Sequence, residues 1–136
     1  MLDSFSDGIE TSIFAYGRGK TGKTYTFFGK ESHKGLIPYA FTNIEKILRN
    51  FEHSLLRISC LYVINEEMYD LLNYQKTELK LEKVPHLHVA GLEKKEIEKM
   101  EEIEGYLDYV NRKKTMLHSK LGKITNFSHT IFTVEV

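Results

Sequence analysis

The segment GRGKTGKT, residues 17–24, constrains this chain more than any other part of its sequence. It matches the pattern G-x-x-x-x-G-K-[S/T], in which two glycines let the backbone turn so that its N–H groups face phosphate oxygens. The pattern functions between a strand and a helix. Residues 11–16 (TSIFAY) predict a buried strand, and the residues after Gly22 predict a helix that stops near Gly29. The alternative is a glycine-rich turn followed by an exposed lysine.

Two side chains of this loop carry specific chemistry. Lys23 would reach the β- and γ-phosphates of a nucleotide, and the hydroxyl of Thr24 would ligate Mg²⁺. The glycines at positions 17 and 22 would allow the backbone to surround the phosphates, while the positive end of the helix that follows would favour their charge. The sequence therefore predicts a site for a nucleoside triphosphate with its magnesium ion.

Strands and helices alternate after the loop, which predicts an α/β or mixed three-layer fold. In the helix predicted over residues 38–52 the apolar residues recur at intervals of three and four: Ala40, Phe41, Ile44, Ile47, Leu48 and Phe51. In the last helix Met100, Ile103, Leu107 and Val110 do the same. The predicted elements are a helix over residues 38–52, a strand over 55–64, a strand or hairpin over 79–92, an amphipathic helix over 98–115 and a strand over 128–136.

Charge and cysteine content exclude several classes of function. Nineteen basic side chains balance nineteen acidic ones, so no long-range field would draw the chain to nucleic acid or to an anionic membrane. The first residues have no basic n-region, and the apolar runs are interrupted, at Arg57 for example. Cys60 is the only cysteine and lies in an apolar run, which predicts a buried thiol. We therefore expect an intracellular, soluble protein without an internal disulfide.

Five segments, in the same order, resemble those of kinesin motor domains, and together they span almost the whole chain. They are SIFAYG running into GKTYT at residues 12–26, which resembles IFAYGQTGSGKTYT; GLIP at 35–38, which resembles GIIPR; INEEMYDLL at 64–72, which resembles IYNEEIYDLL; VAGL at 89–92, which resembles VxGL; and SHTIF at 128–132, which resembles the end of SSRSHxIF. The resemblance implies a P-loop NTPase of kinesin-motor type, with a central, mostly β-sheet flanked by helices.

The resemblance also implies an activity and its partners. Kinesin motors are ATPases that move on microtubules, so it implies ATP and Mg²⁺ as cofactors, tubulin as partner and a cytoplasmic, cytoskeletal location. By position, Tyr25 would stack on adenine, with a core aromatic as the alternative. Asn65 and Glu66 would close the end of a strand. The candidate cofactor-binding residues are Gly17, Arg18, Gly19, Lys20, Thr21, Gly22, Lys23, Thr24 and Tyr25, with Thr24 as the Mg²⁺ ligand.

The phosphate loop departs from the family pattern at four positions. The family's Q-T-G-S is replaced by RGKT at residues 18–21, which moves one glycine and adds two cations. Lys20 stands where kinesins have glycine. If that position requires a positive φ, its β-carbon costs about 1 kcal/mol or more. Because the added charge favours phosphate, we expect MgATP binding to survive at reduced strength.

The phosphate-sensing switch I segment departs further. The family pattern N-x-x-S-S-R-S-H aligns with GKITNFSH at residues 122–129, and only Ser128 and His129 are retained. Thr125 keeps a hydroxyl, but Asn126 replaces the serine that senses γ-phosphate and magnesium. Phe127 replaces the arginine that pairs with a switch II glutamate. Thr125, Asn126 and Ser128 are thus the remaining catalytic candidates, and we expect weak or absent ATPase activity.

Family motor domains are more than twice as long as this chain. Residues 1–136 correspond to the part from the phosphate loop through switch I, without the early RxRP strands and without switch II and its DxxGxE pattern. The sequence therefore predicts a partial motor domain, from a truncated or decayed gene, that is poorly soluble alone because a sheet edge lies open.

Two rival functions and two weaker signals stay open at this point. One rival is a non-motile pseudo-motor that binds nucleotide or tubulin. The other is an unrelated P-loop NTPase in which residues 58–67 order magnesium. His86 and His88 could begin a metal site, although the sequence places no third ligand nearby. Four lysines suggest either a solvated face or a residual contact with tubulin: Lys80, Lys83, Lys94 and Lys95.

Overall fold

The computed structural model describes residues 4–5, 7–30, 32–51, 54–73, 79–83, 86–121 and 128–136. The chain divides into two compact units, Met1–Ser54 and Leu55–Val136. Each unit has its own secondary structure and its own buried side chains.

The first unit follows the phosphate loop with a short helix and a small hairpin. Helix α1 spans Lys23–Phe28, and strands β1 (Gly29–Lys30) and β2 (His33–Lys34) pair antiparallel. A β-carbon on Gly29 would lie 2.3 Å from the carbonyl oxygen of His33, and one on Gly35 would lie 2.4 Å from that of Phe27. Only glycine allows this close approach of the backbone. The predicted helix that stops near Gly29 is therefore confirmed.

Helix α2 spans Leu36–Leu48 and carries the buried side chains of the first unit. Pro38 lies in its first turn, where the missing N–H has no partner to lose. Ile37, Phe41 and Ile44 are buried at the predicted helical spacing. The expected end at residue 52 is wrong, because the helix stops at Leu48 and leaves Phe51 beyond it, 56% exposed.

The buried strand predicted over residues 11–16 does not form. These residues are in no helix or strand, and Ile13, Phe14 and Tyr16 are exposed, Phe14 to 87%. A strand requires neighbours to pair its N–H and C=O groups and to cover its faces. None of the strands in the described part of the chain pairs with this segment. Its β-branched and aromatic composition is therefore not sufficient to make it a strand.

The second unit is built around one long strand. Strand β3 spans Leu56–Ile64 and pairs antiparallel with β4 (Glu67–Asp70), β7 (Lys95–Ile97) and β8 (Ser128–Glu135). Strand β8 runs along one edge of β3, while β4 and β7 pair with the two ends of its other edge. Most residues of β3 are buried, on both faces, as its continuous apolar run predicts. Cys60 lies among them, so its predicted burial is confirmed.

The second unit also contains a long helix and a separate hairpin. Helix α3 spans Glu102–Leu121 and buries Ile103, Leu107 and Val110 at the predicted spacing. It begins four residues later than expected, so Met100 precedes it, and it continues beyond the expected end at residue 115. Strands β5 (Lys80–Glu82) and β6 (His88–Ala90) form a separate antiparallel hairpin, which confirms the hairpin predicted over 79–92.

Candidate nucleotide-binding site

The phosphate loop is a tight turn held by its own side chains. Gly17 has a φ of +150° and Gly22 a φ of +93°, and both are conformations that glycine adopts without strain. Thr21 Oγ1 donates a hydrogen bond of 2.8 Å to the carbonyl oxygen of Arg18. Both glycines of the loop therefore have positive φ angles.

Lys23 lies at the centre of this turn. Its Nζ donates hydrogen bonds of 2.6 Å to the carbonyl oxygens of Gly17 and Arg18. An ammonium group has three N–H donors, and these bonds use two of them. The two carbonyls therefore hold the ammonium group of Lys23 against the backbone of the loop.

Thr24 and Tyr25 follow Lys23 in the first turn of α1. Both are exposed, and Tyr25 is exposed to 49%. No residue of α1 is buried, so the alternative role of Tyr25 as a core aromatic is wrong. The Thr24 hydroxyl and the Tyr25 ring are both accessible to a ligand at the loop.

The local charge around the loop is positive although the chain is neutral. Residues 11–30 contain Arg18, Lys20, Lys23 and Lys30 and no acidic side chain. A glycine-bearing turn, an ammonium group and an accessible hydroxyl form the donor set that phosphates and Mg²⁺ require. The residues present therefore fit MgATP.

Lys20 adopts the conformation that its alignment with a family glycine implies. Its φ is +65°, in the left-handed region. A side chain with a β-carbon is disfavoured there by about 1 kcal/mol or more. The condition stated for this position, a positive φ, is therefore met by Lys20.

The switch I candidates are only partly described. Thr125 and Asn126, with Gly122 and Phe127, lie outside the described residues. Ser128 begins β8 in the second unit and pairs with Ile64 across the sheet. The structure therefore brings the candidates of the phosphate loop together within the first unit and gives Ser128 a partner in the sheet.

Asn65 and Glu66 form the turn between β3 and β4. Their φ angles are +50° and +67°, as in the two-residue hairpin turn that matches the twist of its strands. The prediction that they close the end of the strand is confirmed.

Asp70 is a structural residue that sequence reasoning missed. Its buried Oδ1 accepts hydrogen bonds from the backbone N–H groups of Leu72 (2.8 Å) and Asn73 (3.1 Å), and Oδ2 accepts one from Glu93 (2.7 Å). Lys113 Nζ donates to the carbonyl oxygen of Asp70 at 2.8 Å, and burial lowers the pKa of Lys113. The signal was an aspartate at the end of a strand, where its side chain can bond the backbone two residues on.

The two histidines proposed as the start of a metal site have partners close to them in the structure. His88 Nδ1 lies 2.8 Å from the carbonyl oxygen of His86, and its Nε2 lies 3.6 Å from Glu82 Oε2. Within the described ranges, no three His, Cys, Asp or Glu side chains are grouped to hold a metal ion.

Lys94 forms an ion pair with Glu135 at 2.7 Å, and Lys95 forms one with Glu93. In the parts of the chain that the structure covers, no helix has the length and apolar character needed to cross a membrane.

Comparisons with known proteins agree over the whole chain. The profile of the kinesin motor domain family matches residues 1–136. The chain is 30% identical to Kinesin-related protein 7 of Dictyostelium discoideum and 32% identical to Kinesin-like protein KIN-7I of Oryza sativa, in each case over 100% of this chain and 12% of the relative. It is 31% identical to human Centromere-associated protein E, over 97% of this chain and 5% of that protein.

A solved structure of a fast kinesin superposes with a TM-score of 0.85 at 22% identity, covering 98% of this chain and 40% of that one. This likeness shows the α/β fold of a kinesin-type P-loop NTPase. A family match of this extent leaves no room for an unrelated P-loop NTPase. This chain belongs to the kinesin motor domain family.

Proposed function

We propose that residues 17–25 bind MgATP and that the chain is the ATP-binding portion of a microtubule motor, which implies ATP-dependent movement along microtubules. The observation that carries the proposal is the position of Lys23, whose Nζ is held by the carbonyl oxygens of Gly17 and Arg18 inside a phosphate-loop turn. The family match over the full chain supports the wider role in the cytoskeleton.

Each residue of the loop has a defined task in this proposal. Lys23 neutralises the β- and γ-phosphates with the N–H that its loop bonds leave over. Thr24 offers its hydroxyl to Mg²⁺, and Tyr25 offers an exposed ring to adenine. Bound ATP would supply the γ-phosphate whose hydrolysis powers movement. The cations Arg18 and Lys20 add local attraction for the triphosphate.

A second candidate is a non-motile pseudo-motor, favoured by the sequence of switch I. Asn126 lacks the hydroxyl of the family serine, and Phe127 cannot form the ion pair made by the family arginine. Hydrolysis depends on such groups placed around the transferring phosphate. In this reading ATP binds to the loop but is turned over slowly or not at all.

Nucleotide binding is tested by titrating the chain with a fluorescent ATP analogue, with Mg²⁺ and with EDTA. We expect saturable, Mg²⁺-dependent binding that Lys23→Ala weakens about 10-fold or more, because a charged hydrogen-bond donor is lost. Lys30→Ala is the matched control, since it removes the same charge from a nearby exposed position and should change Kd by less than about 2-fold. Equal binding by wild type and Lys23→Ala, or no saturable signal at all, contradicts the proposal.

Motor and pseudo-motor are separated by co-sedimentation of the chain with microtubules. A motor fragment is released when ATP is added, whereas a pseudo-motor that binds tubulin stays bound when ATP is added. Absence of sedimentation in every nucleotide state would contradict a tubulin-binding role for these residues.

A further inference from the structure

Thr21 lies in the phosphate loop with its side chain turned back towards the beginning of the loop. Lys20 and Gly22, the residues on either side of it, have φ angles of +65° and +93°, both in the left-handed region. The Thr21 hydroxyl donates a hydrogen bond of 2.8 Å to the carbonyl oxygen of Arg18. The sequence pattern of phosphate loops accepts any residue at this position, so the pattern assigns no role to a hydroxyl here.

The carbonyl that Thr21 bonds also binds Lys23. Nζ of Lys23 lies 2.6 Å from the carbonyl oxygen of Arg18 and 2.6 Å from that of Gly17. A carbonyl oxygen has two lone pairs, so the Arg18 oxygen can accept from the hydroxyl and from the ammonium group at the same time. Thr21 and Lys23 are therefore linked through one shared acceptor.

Thr21 also lies against the other residue that holds Lys23. A β-carbon on Gly17 would lie 3.0 Å from Thr21 Oγ1 and 3.8 Å from Thr21 Cβ, so the threonine covers the position where a side chain of Gly17 would begin. Lys23 is half-buried, whereas every other residue of 11–26 is exposed. The side chain of Thr21 is therefore next to both residues whose carbonyls accept from Lys23.

A second threonine shows what a hydroxyl with a local role looks like in this chain. Threonine hydroxyls commonly bond a carbonyl three or four residues earlier, and Thr26 Oγ1 donates to the carbonyl oxygen of Gly22 at 3.2 Å. Lys23 bonds the carbonyls of Gly17 and Arg18 instead. The shared acceptor therefore distinguishes Thr21 from a threonine that stabilises a turn alone.

We propose that Thr21 is a positioning residue for Lys23: its hydroxyl fixes the Arg18 carbonyl as an acceptor and so orients the ammonium group for the β- and γ-phosphates of ATP. With two N–H groups directed at the loop, the third points away from both carbonyls. An ammonium group that is already ordered loses less freedom when phosphate binds, which strengthens binding. The contacts stand without nucleotide, and their effect on affinity rests on the proposed function.

The link between Thr21 and Lys23 is tested without nucleotide, by competitive acetylation of the full chain and peptide mass spectrometry. An ammonium group must leave its two carbonyls and lose a proton before it reacts, so Lys23 should be acetylated about 10-fold more slowly than the exposed Lys30. Thr21→Val keeps the shape of the side chain without its hydroxyl. It should accelerate acetylation of Lys23 about 5-fold, the effect of losing one net hydrogen bond.

Two further variants control this experiment. Thr21→Ser keeps the donor and should retain the slow acetylation of Lys23. Thr26→Val removes a hydroxyl that bonds a carbonyl Lys23 does not use, and it should leave the rate at Lys23 unchanged. The link is overturned if Lys23 reacts equally fast in wild type and Thr21→Val, or if Thr26→Val accelerates it as much as Thr21→Val.

The effect on binding is tested with the fluorescent ATP analogue in a double-mutant cycle. Thr21→Val should weaken binding about 5-fold, and Thr21→Ser should keep Kd within about 2-fold of wild type, because serine retains the donor. In the Lys23→Ala background Thr21→Val should change Kd by less than about 2-fold, since the group that Thr21 positions is gone.

The cycle separates a positioning role from its alternatives. Equal weakening by Thr21→Val in both backgrounds means that the hydroxyl acts on the nucleotide directly. An unchanged Kd in Thr21→Val, while acetylation of Lys23 accelerates, means that the contact is structural. Either result overturns the positioning role. If wild type binds no nucleotide, the proposed function fails, and the acetylation rates still decide whether Thr21 orders Lys23.

Discussion

The two units of this chain use their apolar side chains in opposite ways. In Met1–Ser54, among the described residues, one helix supplies the buried apolar side chains, while Ile13, Phe14 and Tyr16 lie exposed beside the phosphate loop. In Leu55–Val136, β3 has partners on both edges and is buried on both faces. Both units contain an apolar, β-branched run, so the presence of neighbours decides which run becomes a strand.

The difference assigns separate physical roles to the units. The candidate chemistry lies in the first, on an exposed loop whose geometry comes from local hydrogen bonds. The second unit is stabilised by its buried apolar side chains and by the hydrogen bonds of its paired sheet. Substitutions in the second unit should therefore change stability, and those in the loop should change binding with little effect on stability.

The largest expected effect concerns the thiol of Cys60 in the second unit. Its side chain is fully buried, and burial raises its pKa from 9.0 to about 12. At pH 8 the reactive thiolate is then about 1000-fold scarcer than in the unfolded chain, so alkylation should be slower by at least that factor. Labelling in urea provides the unfolded reference rate. A native chain labelled as fast as the unfolded one would show that the second unit is no better packed than the first.

The raised pKa of Cys60 also predicts that the folded chain loses stability at alkaline pH. Because its pKa is raised on folding, the folded state keeps a proton that the unfolded state releases. The stabilising contribution is therefore complete below pH 9 and decreases as the pH rises from 9 towards 12. In Cys60→Ala the free energy of unfolding should fall less steeply across this range, and an unchanged slope would contradict the assignment.

A smaller effect is expected at Asp70, which links three segments of the second unit. Asp70→Ala leaves the N–H groups of Leu72, Asn73 and Glu93 without their acceptor. We expect the free energy of unfolding in urea to fall by about 1–3 kcal/mol. Asp108→Ala removes the same charge from the exposed face of α3 and should change it by less than about 0.5 kcal/mol. Equal effects of the two would mean that Asp70 is bonded no better than a surface carboxylate.

Much of the fold could be predicted because its signals are local. Periodicity predicted α2 and α3, and the family resemblance indicated that Asn65 and Glu66 close the end of β3. The phosphate loop was predicted because its residues are contiguous. The contacts of Tyr62 with His118 and of Asp70 with Glu93 were not predictable, since each joins residues far apart in sequence. The failure at residues 11–16 has the same origin, because burial of a strand depends on what packs against it.

The smallest expected effect concerns the left-handed backbone conformation at one charged residue of each unit. Lys20 in the phosphate loop has a φ of +65°, and Glu66 in the β3–β4 turn has a φ of +67°. Replacing each by Gly relieves similar strain, while replacing each by Ala removes the charge but keeps the β-carbon. The difference between the Gly and Ala variants therefore isolates the backbone term, about 0.5–1 kcal/mol after allowing for the freedom of Gly in the unfolded chain.

At Glu66 this difference should appear in full in urea unfolding, because the turn joins two paired strands of the buried sheet and Asn-Gly is the preferred sequence for it. At Lys20 it should not be measurable, because an exposed loop can relax its strain by opening locally while the rest of the chain stays folded. The contrary result is that the free energy of unfolding of Lys20→Gly exceeds that of Lys20→Ala by as much as the two Glu66 variants differ. In that case the loop unfolds together with the core. The strained lysine would then be maintained by the fold as a whole, and the contrast between a first unit with few buried side chains and a second unit built on a buried sheet would no longer hold.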